Sequence, residues 1–200
     1  MMNIVVAEDQ VMLRQAMVQL MRMHEDINIV RDVGDGEAAI IALEEENIDV
    51  VILDVEMPKL TGLEVLQHIR ANEIDVKVIM VTTFKRPGYF ERAIANDVDA
   101  YVLKERSVDE LVKTIHRVIS GEKEYSDALV TSMFNARNPL TPKEQLVLKE
   151  IGKGLSSREI AQTLYLSNGT IRNYTSTAID KLEADNRFDA WKKAYENGWI

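Results

Sequence analysis

Cysteine is absent from these 200 residues, which excludes disulfides, thiolate metal sites and cysteine nucleophiles. No secretion signal is expected either: "MMNIVVAEDQ" has no basic leader and its apolar stretch is far too short. No later run approaches the ~20 apolar residues that a membrane-spanning helix requires. There is no internal repeat and no low-complexity tract. Together these absences lead to the expectation of a soluble cytoplasmic protein with no membrane insertion. An excess of positive charge is also missing, since the formal net charge is -9. That deficit is local, however. Residues 1–138 carry 15 Lys+Arg against 25 Asp+Glu, whereas residues 139–200 carry 9 against 8. Such asymmetry fits two domains of which only the second meets a polyanion.

What is present is a set of polar residues at the ends of apolar runs. The runs "NIVVA", "VVILD", "VIMVT" and "AYVLK" are β-branched or aliphatic, as buried parallel strands are. Directly after or at the end of them stand Glu8 and Asp9, Asp54, Thr82 and Lys104. In an open doubly wound sheet the ligand site lies outside the carboxyl ends of the strands. The spacing therefore gathers three carboxylates, a hydroxyl and an ammonium in one pocket. From Ile4 to Ser120 such runs alternate with helical patterns five times, the rhythm of a parallel sheet covered by helices on both faces.

After "VISGE" the pattern changes. The stretch 122–138 reads as a linker holding one short helix, "SDALVTSMF", and no strand pattern follows it. Residues 139–200 read as four helices. Thr141, Pro142 and Glu144 form a capping box with proline in the first turn, and Ser156 with Glu159 repeats the box. Ser167 can cap a helix from about Asn168 to Leu182, and a last helix runs from near Asn186 to Gly198. Two helices joined by the short turn "YLS", the second bearing exposed polar residues, is the helix-turn-helix pattern.

The first part, residues 1–121, resembles the receiver domain of bacterial response regulators in "AED", "DVEMPKLTG", "VTTF" and "YVLK". Residues 139–200 resemble the LuxR-type DNA-binding domain of the NarL/FixJ subfamily in "LTPKE", "REIAQTL", "GTIRNY" and "KL". Within that subfamily, "TTFKRPGYFERAI", "GTIRNY" and "NGW" look most like the DesR-type regulators, which respond to membrane state. The resemblance implies a flavodoxin-like, doubly wound, five-stranded parallel receiver followed by an all-α helix-turn-helix domain. It further implies a sensor histidine kinase, double-stranded promoter DNA, RNA polymerase and a second copy of the chain as partners.

The chemistry can also be argued from the residues. Asp54 is placed to attack a phosphoryl group and form an acyl phosphate. Glu8 and Asp9 would repel that group, so a divalent cation is expected between them, and Mg²⁺ suits hard oxygen ligands and phosphate. Lys104 brings a compact positive charge to the phosphoryl oxygens, and the Thr82 hydroxyl can donate to one of them. For any single residue, a structural salt bridge is the plainer alternative. Five such residues at strand ends weigh against it. The resemblance adds the Glu56 carbonyl as a metal ligand, and Tyr101 as a switch that alternates between outward and inward rotamers as Thr82 moves. Two departures stand out: Glu105 occupies the place after the lysine where family receivers often carry a cis proline, and Thr83 is bulkier than the small residue usual there, narrowing access for water.

In the second domain Ile171, Tyr174 or Ala178, Ile179 and Leu182 follow helical spacing toward a core, leaving Arg172, Asn173 and Ser176 outward where base edges are reached. Thr170, Lys181 and Arg158 are assigned to phosphates, beside the capping Ser167. With so little positive charge one domain should bind weakly, so dimerisation is the expected route to affinity. On the first helix Leu13, Ala16, Met17 and Leu20 are expected inward, and Val11, Val18 and Met21 outward as a dimer contact with the fifth helix. The alternative is the fourth helix around Phe90 and Ile94. The methionines Met12, Met17 and Met80 read as core filler, and His24, His68 and His116 as isolated surface or helix-end residues.

Two other functions compete with this one. A Mg²⁺ phosphohydrolase of the haloacid dehalogenase kind also uses an aspartyl phosphate, but it needs a second aspartate two residues on, where this chain has Glu56. A DNA-binding protein indifferent to phosphorylation would have no use for the intact set at Glu8, Asp9, Asp54, Thr82 and Lys104. The expectation is a regulator and not an enzyme.

Overall fold

A computed structural model describes residues 1–83, 86–135 and 138–200. Phe84 and Lys85, within the "TTFKRPGYFERAI" motif, and Ala136 and Arg137, within the expected linker, lie outside the described residues. The chain folds as two units, Met1–Lys85 with Phe90–Val130, and Arg86–Tyr89 with Thr131–Ile200.

The first unit is built on a parallel sheet of order β2-β1-β3-β4-β5-β6. Its strands are β1 (Met2–Ala7), β2 (Ile27–Val33), β3 (Val50–Asp54), β4 (Lys77–Thr82), β5 (Ala100–Leu103) and β6 (Glu124–Tyr125). Every residue of β3 and β5 is buried, as their unbroken apolar runs predict for strands covered on both faces. Helices α1 (Val11–Met21), α2 (Gly36–Glu45), α3 (Gly62–Ala71), α4 (Pro87–Ala95) and α5 (Val108–Ile119) connect them. Order reverses between β1 and β3, so the crevice of the sheet opens at the carboxyl ends of those two strands. The five expected strands are present, and a sixth comes from within the stretch read as linker. Glu124–Tyr125 pairs in parallel with Ala100–Tyr101, and α6 (Asp127–Asn135) follows at once.

The orientation of α1 corrects the expectation. Its buried residues are Met17, Val18 and Met21, while Leu13 and Leu20 are exposed together with Val11 and Met12. The stripes 13-16-17-20 and 14-17-18-21 both satisfy a 3.6-residue period and differ by one position of rotation. Arg14 selects between them. Its guanidinium donates to the Glu8 carbonyl and pairs with Asp32 at 3.2 Å, which turns its own face inward. Met12 is accordingly not core filler, whereas Met17 and Met80 are buried. On α4, Phe90 is fully buried, whereas Ile94 is exposed.

The second unit holds α7 (Pro142–Gly152), α8 (Ser157–Thr163), α9 (Asn168–Lys181) and α10 (Arg187–Glu196). Both anticipated capping boxes form, at Thr141 with Glu144 and at Ser156 with Glu159. The core collects Leu148, Ile151, Ile160, Ile171, Ala178, Leu182 and Ala190. A Cβ on Gly152 would collide with the Trp191 indole, so only glycine admits that close approach of α10 to α7. Among the described residues no helix is long and apolar enough to cross a membrane.

Candidate functional site

At the carboxyl edge of the first unit's sheet the expected residues converge. Oxygens of Glu8, Asp9 and Asp54 all lie within 4.8 Å of one another, with Glu8 and Asp54 buried and Asp9 exposed. The Lys104 ammonium sits 2.6 Å from Glu8 Oε2 and 3.1 Å from Asp54 Oδ2. These side chains are only 2% (Glu8), 7% (Asp54) and 8% (Lys104) exposed. One ammonium therefore faces two buried carboxylates, and one negative charge is left over in a poorly hydrated place. Burial pushes the Asp54 carboxyl up to about 6; Lys104 opposes this rise and Glu8 adds to it. A cluster of hard oxygens with surplus negative charge fits a divalent cation of the Mg²⁺ kind.

Backbone geometry holds the pocket. The Lys104 amide donates to the Thr82 carbonyl at 2.8 Å, which ties the loop after β5 to the end of β4, and Thr82 is fully buried. The loop after Asp54 folds back on it. The Gly62 amide donates to the Val55 carbonyl at 3.0 Å, and a Cβ at Gly62 would collide with the Asp54 carbonyl oxygen. Lys59, with φ 65°, pairs with Asp35 at 2.8 Å, fastening this loop to the N-cap of α2. Glu56 stands half-buried at its start. Thr83 is exposed at the rim, and there is no cis peptide among the described residues. Tyr101 is fully buried on β5. It pairs with Met80, while Thr82 pairs with Leu103. Alternation along the strands therefore puts Thr82 and Tyr101 diagonally adjacent on one face of the sheet.

Sequence reasoning missed Arg14, Lys59 and Gly62. Gly62 could have been found as the glycine opening a helix just past an acidic strand end. Arg14 and Lys59 carry no such signal, because a lone cation in a polar stretch reads as solvated.

In the second unit Ser167 caps α9, accepting from the Thr170 amide at 3.0 Å, and the two hydroxyls lie 2.8 Å apart. Arg172, Asn173 and Ser176 are exposed on α9, and Arg158 is exposed on α8. Lys181 is placed differently: its ammonium is 2.8 Å from Oε2 of Glu144, a nearly fully buried residue. Burial works to raise Glu144, but the bonds from Lys181 and Thr141 outweigh it and hold the carboxyl below its ordinary range. Lys181 thus ties the end of α9 to the start of α7. Tyr165, in the turn between α8 and α9, is 95% exposed and holds φ at 54°, a left-handed backbone that a bulky side chain adopts only at some cost.

Each unit matches a known family. Residues 4–116 match the response regulator receiver domain, and residues 138–194 match the bacterial regulatory proteins of the luxR family. Over 200 residues the chain is 39% identical to the transcriptional regulatory protein DesR of Bacillus subtilis (strain 168), covering 100% of each. It is equally similar, at 40% over 200 residues and 100% of each chain, to YvfU of the same organism, an uncharacterized transcriptional regulatory protein. A solved LuxR-family DNA-binding response regulator from Staphylococcus aureus is 60% identical, with a TM-score of 0.58 over 60% of this chain and 99% of that one. With a receiver and a luxR-type domain in one chain and full-length relatives on this scale, the protein belongs to the response regulators of the NarL/FixJ subfamily.

Proposed function

We propose that this response regulator is a cytoplasmic transcription switch that takes a phosphoryl group on Asp54 from a sensor histidine kinase and then binds promoter DNA as a dimer. The observation that carries the reading is the shared ammonium: Lys104 lies between Glu8 and Asp54 at the carboxyl edge of the sheet. In the transfer an Asp54 carboxylate oxygen attacks phosphorus, a P–O bond forms, and the P–N bond to the kinase histidine breaks. The product is an acyl phosphate, and the released imidazole nitrogen takes up a proton from solvent. Lys104 stabilises charge on the phosphoryl oxygens, and the Thr82 hydroxyl donates to one of them. A Mg²⁺ held by Glu8, Asp9, Asp54 and the Glu56 carbonyl would supply the positive charge that lets phosphate approach these carboxylates.

Acceptance and slow hydrolysis of the acyl phosphate are the chain's only chemistry in this reading; it does not turn over a substrate as an enzyme. Acetyl phosphate should label the protein only when Mg²⁺ is added, and Asp54→Ala should abolish labelling. Label persisting at Asp9 would overturn the assignment, and sustained release of phosphate from a phosphomonoester would favour a phosphohydrolase.

Arg172, Asn173 and Ser176 are proposed to read bases, and Arg158, Ser167 and Thr170 to meet phosphates, with RNA polymerase as the downstream partner. The dimer contact is placed on the exposed face of α1. Leu13, Ala16 and Leu20 border an apolar groove with Val108 and Leu111 of α5. Helix α5 opens with Asp109 and Glu110 and closes with His116 and Arg117. A two-fold pairing of antiparallel α5 helices therefore sets opposite charges against each other. Leu13→Glu with Leu20→Glu should leave Asp54 labelling intact and keep the phosphorylated protein monomeric in sedimentation; normal dimerisation would refute this face.

A further inference from the structure

The sixth strand is the feature of the first unit that neither phosphate chemistry nor DNA binding explains. A sheet of this kind is complete with five strands, yet the chain lays two further residues on its edge immediately before α6. The Glu124 amide donates to the Asp99 carbonyl and the Ser126 amide to the Tyr101 carbonyl, each at 3.1 Å. The strand is also held by side chains. Glu124 pairs with Arg106 and with Arg117, and the Tyr125 hydroxyl donates to the Val98 carbonyl at 3.2 Å. Beyond it Ser126 is buried and Leu129, in the first turn of α6, is fully buried. The way out of the domain is thus anchored as far as α6.

The anchoring is centred on Tyr101. In the ladder Tyr101 is the partner of Tyr125, and its carbonyl receives the Ser126 amide. Phe90 meets Tyr101 edge-on at 5.2 Å between ring centroids and Tyr125 edge-on at 5.6 Å. Ladder partners share a face of a sheet, so Met80, Tyr101 and Tyr125 lie in a row across β4, β5 and β6, with Thr82 diagonal to Tyr101 on the same face and Phe90 of α4 packed on the two tyrosines. A close-packed row of this kind does not deform continuously; its rings exchange between discrete seats.

We propose that β6 is the read-out of the phosphorylation switch: Thr82, drawn toward a phosphoryl group on Asp54, opens space that fixes Tyr101 inward, and Tyr101 with Phe90 then holds Tyr125 and the start of α6 docked. When Tyr101 leaves its seat, Phe90 loses an edge contact, Tyr125 loses its ring neighbour, and the two-residue strand has too few bonds to persist alone. Undocking lengthens the free tether to the second unit, which lowers the effective concentration at which two DNA-binding domains meet one site. The device rests on Asp54 being the acceptor, and coupling of this kind is reciprocal.

The test uses the full-length chain with Mg²⁺ and beryllofluoride, a mimic of the phosphoryl group. Amide exchange at Glu124 and Ser126 should slow about tenfold when beryllofluoride binds, as for a local opening that has become rarer. Tyr125→Ala should still be labelled at Asp54 by acetyl phosphate yet bind beryllofluoride severalfold more weakly, and Tyr125→Phe, which keeps the ring, should restore that affinity. Unchanged exchange at Glu124 and Ser126 in the wild type would overturn the proposal. So would an unchanged beryllofluoride affinity in Tyr125→Ala. A wild-type protein that neither binds beryllofluoride nor accepts phosphate would instead overturn the acceptor reading, and this proposal with it.

Discussion

The two units use charge in opposite ways. The first buries it: Glu8, Asp54 and Lys104 are almost wholly removed from water, so each charge acts at full strength on its neighbours and an unmatched one is costly. The second displays it: Arg158 and Arg172 are exposed, available to a partner and nearly neutral for folding. Its one buried charge among the described residues, Glu144, is satisfied by Lys181 and the Thr141 amide. In the proposed function, burial would give a site whose charge balance one phosphoryl group changes, whereas exposure would leave a surface open to a polyanion.

The largest test of this contrast is to change the balance in the buried site from each side. Lys104→Met should strand two buried carboxylates, destabilise the metal-free protein by about 3–5 kcal/mol, and slow phosphoryl acceptance by about 100-fold or more. Asp54→Asn should abolish acceptance but have the opposite effect on stability. The Asp54 carboxyl sits at about 6 in the folded protein, above its ordinary value, so the folded state binds the extra proton. Stability of the metal-free protein should therefore rise as pH falls from about 7 to about 4. Asp54→Asn should flatten that dependence and gain about 1–3 kcal/mol at neutral pH. Chemical denaturation across pH measures both, and a wild-type profile flat between those limits would break the argument.

Within the second unit the comparison is between a displayed and a committed cation. Arg172→Ala should leave the melting temperature nearly unchanged while costing about 1–3 kcal/mol at a specific DNA site. Lys181→Met should lower stability by about 1–3 kcal/mol, because it leaves buried Glu144 without its ammonium. Should Lys181→Met instead lower the salt slope of DNA binding without a change in stability, Lys181 reaches phosphate after all. The smallest effect is local. Tyr165→Gly should relieve the left-handed backbone in the turn before α9 and stabilise the second unit by about 1 kcal/mol, read as a rise in its melting temperature.

The site residues were legible because chemistry and position coincide: a carboxylate, hydroxyl or ammonium closing a β-branched run has no reason to be there in a plain core strand. The caps at Thr141, Ser156 and Ser167 were legible for a similar reason, since a hydroxyl three residues before a matching backbone amide is a local device. What failed was rotation about a helix axis. Two stripes on α1 fit one periodicity, and Arg14, with partners at Glu8 and Asp32 on other elements, decided between them. Lys181 escaped likewise, because Glu144 lies 37 residues earlier in the chain.

By itself, then, the sequence determined the strand order of chemistry, the helix starts, the division of charge between two domains and the membership of the carboxylate cluster, all of which follow from propensity, alternation and local hydrogen bonding. The tertiary structure decided which face of α1 is buried, that Lys104 is shared between Glu8 and Asp54, that Lys181 is paired, and that Glu124–Tyr125 becomes a sixth strand. These depend on which groups meet across distant segments. A two-residue strand has almost no propensity of its own, and it exists only because β5 presents an open edge and Arg106, Phe90 and Val98 present partners for Glu124 and Tyr125.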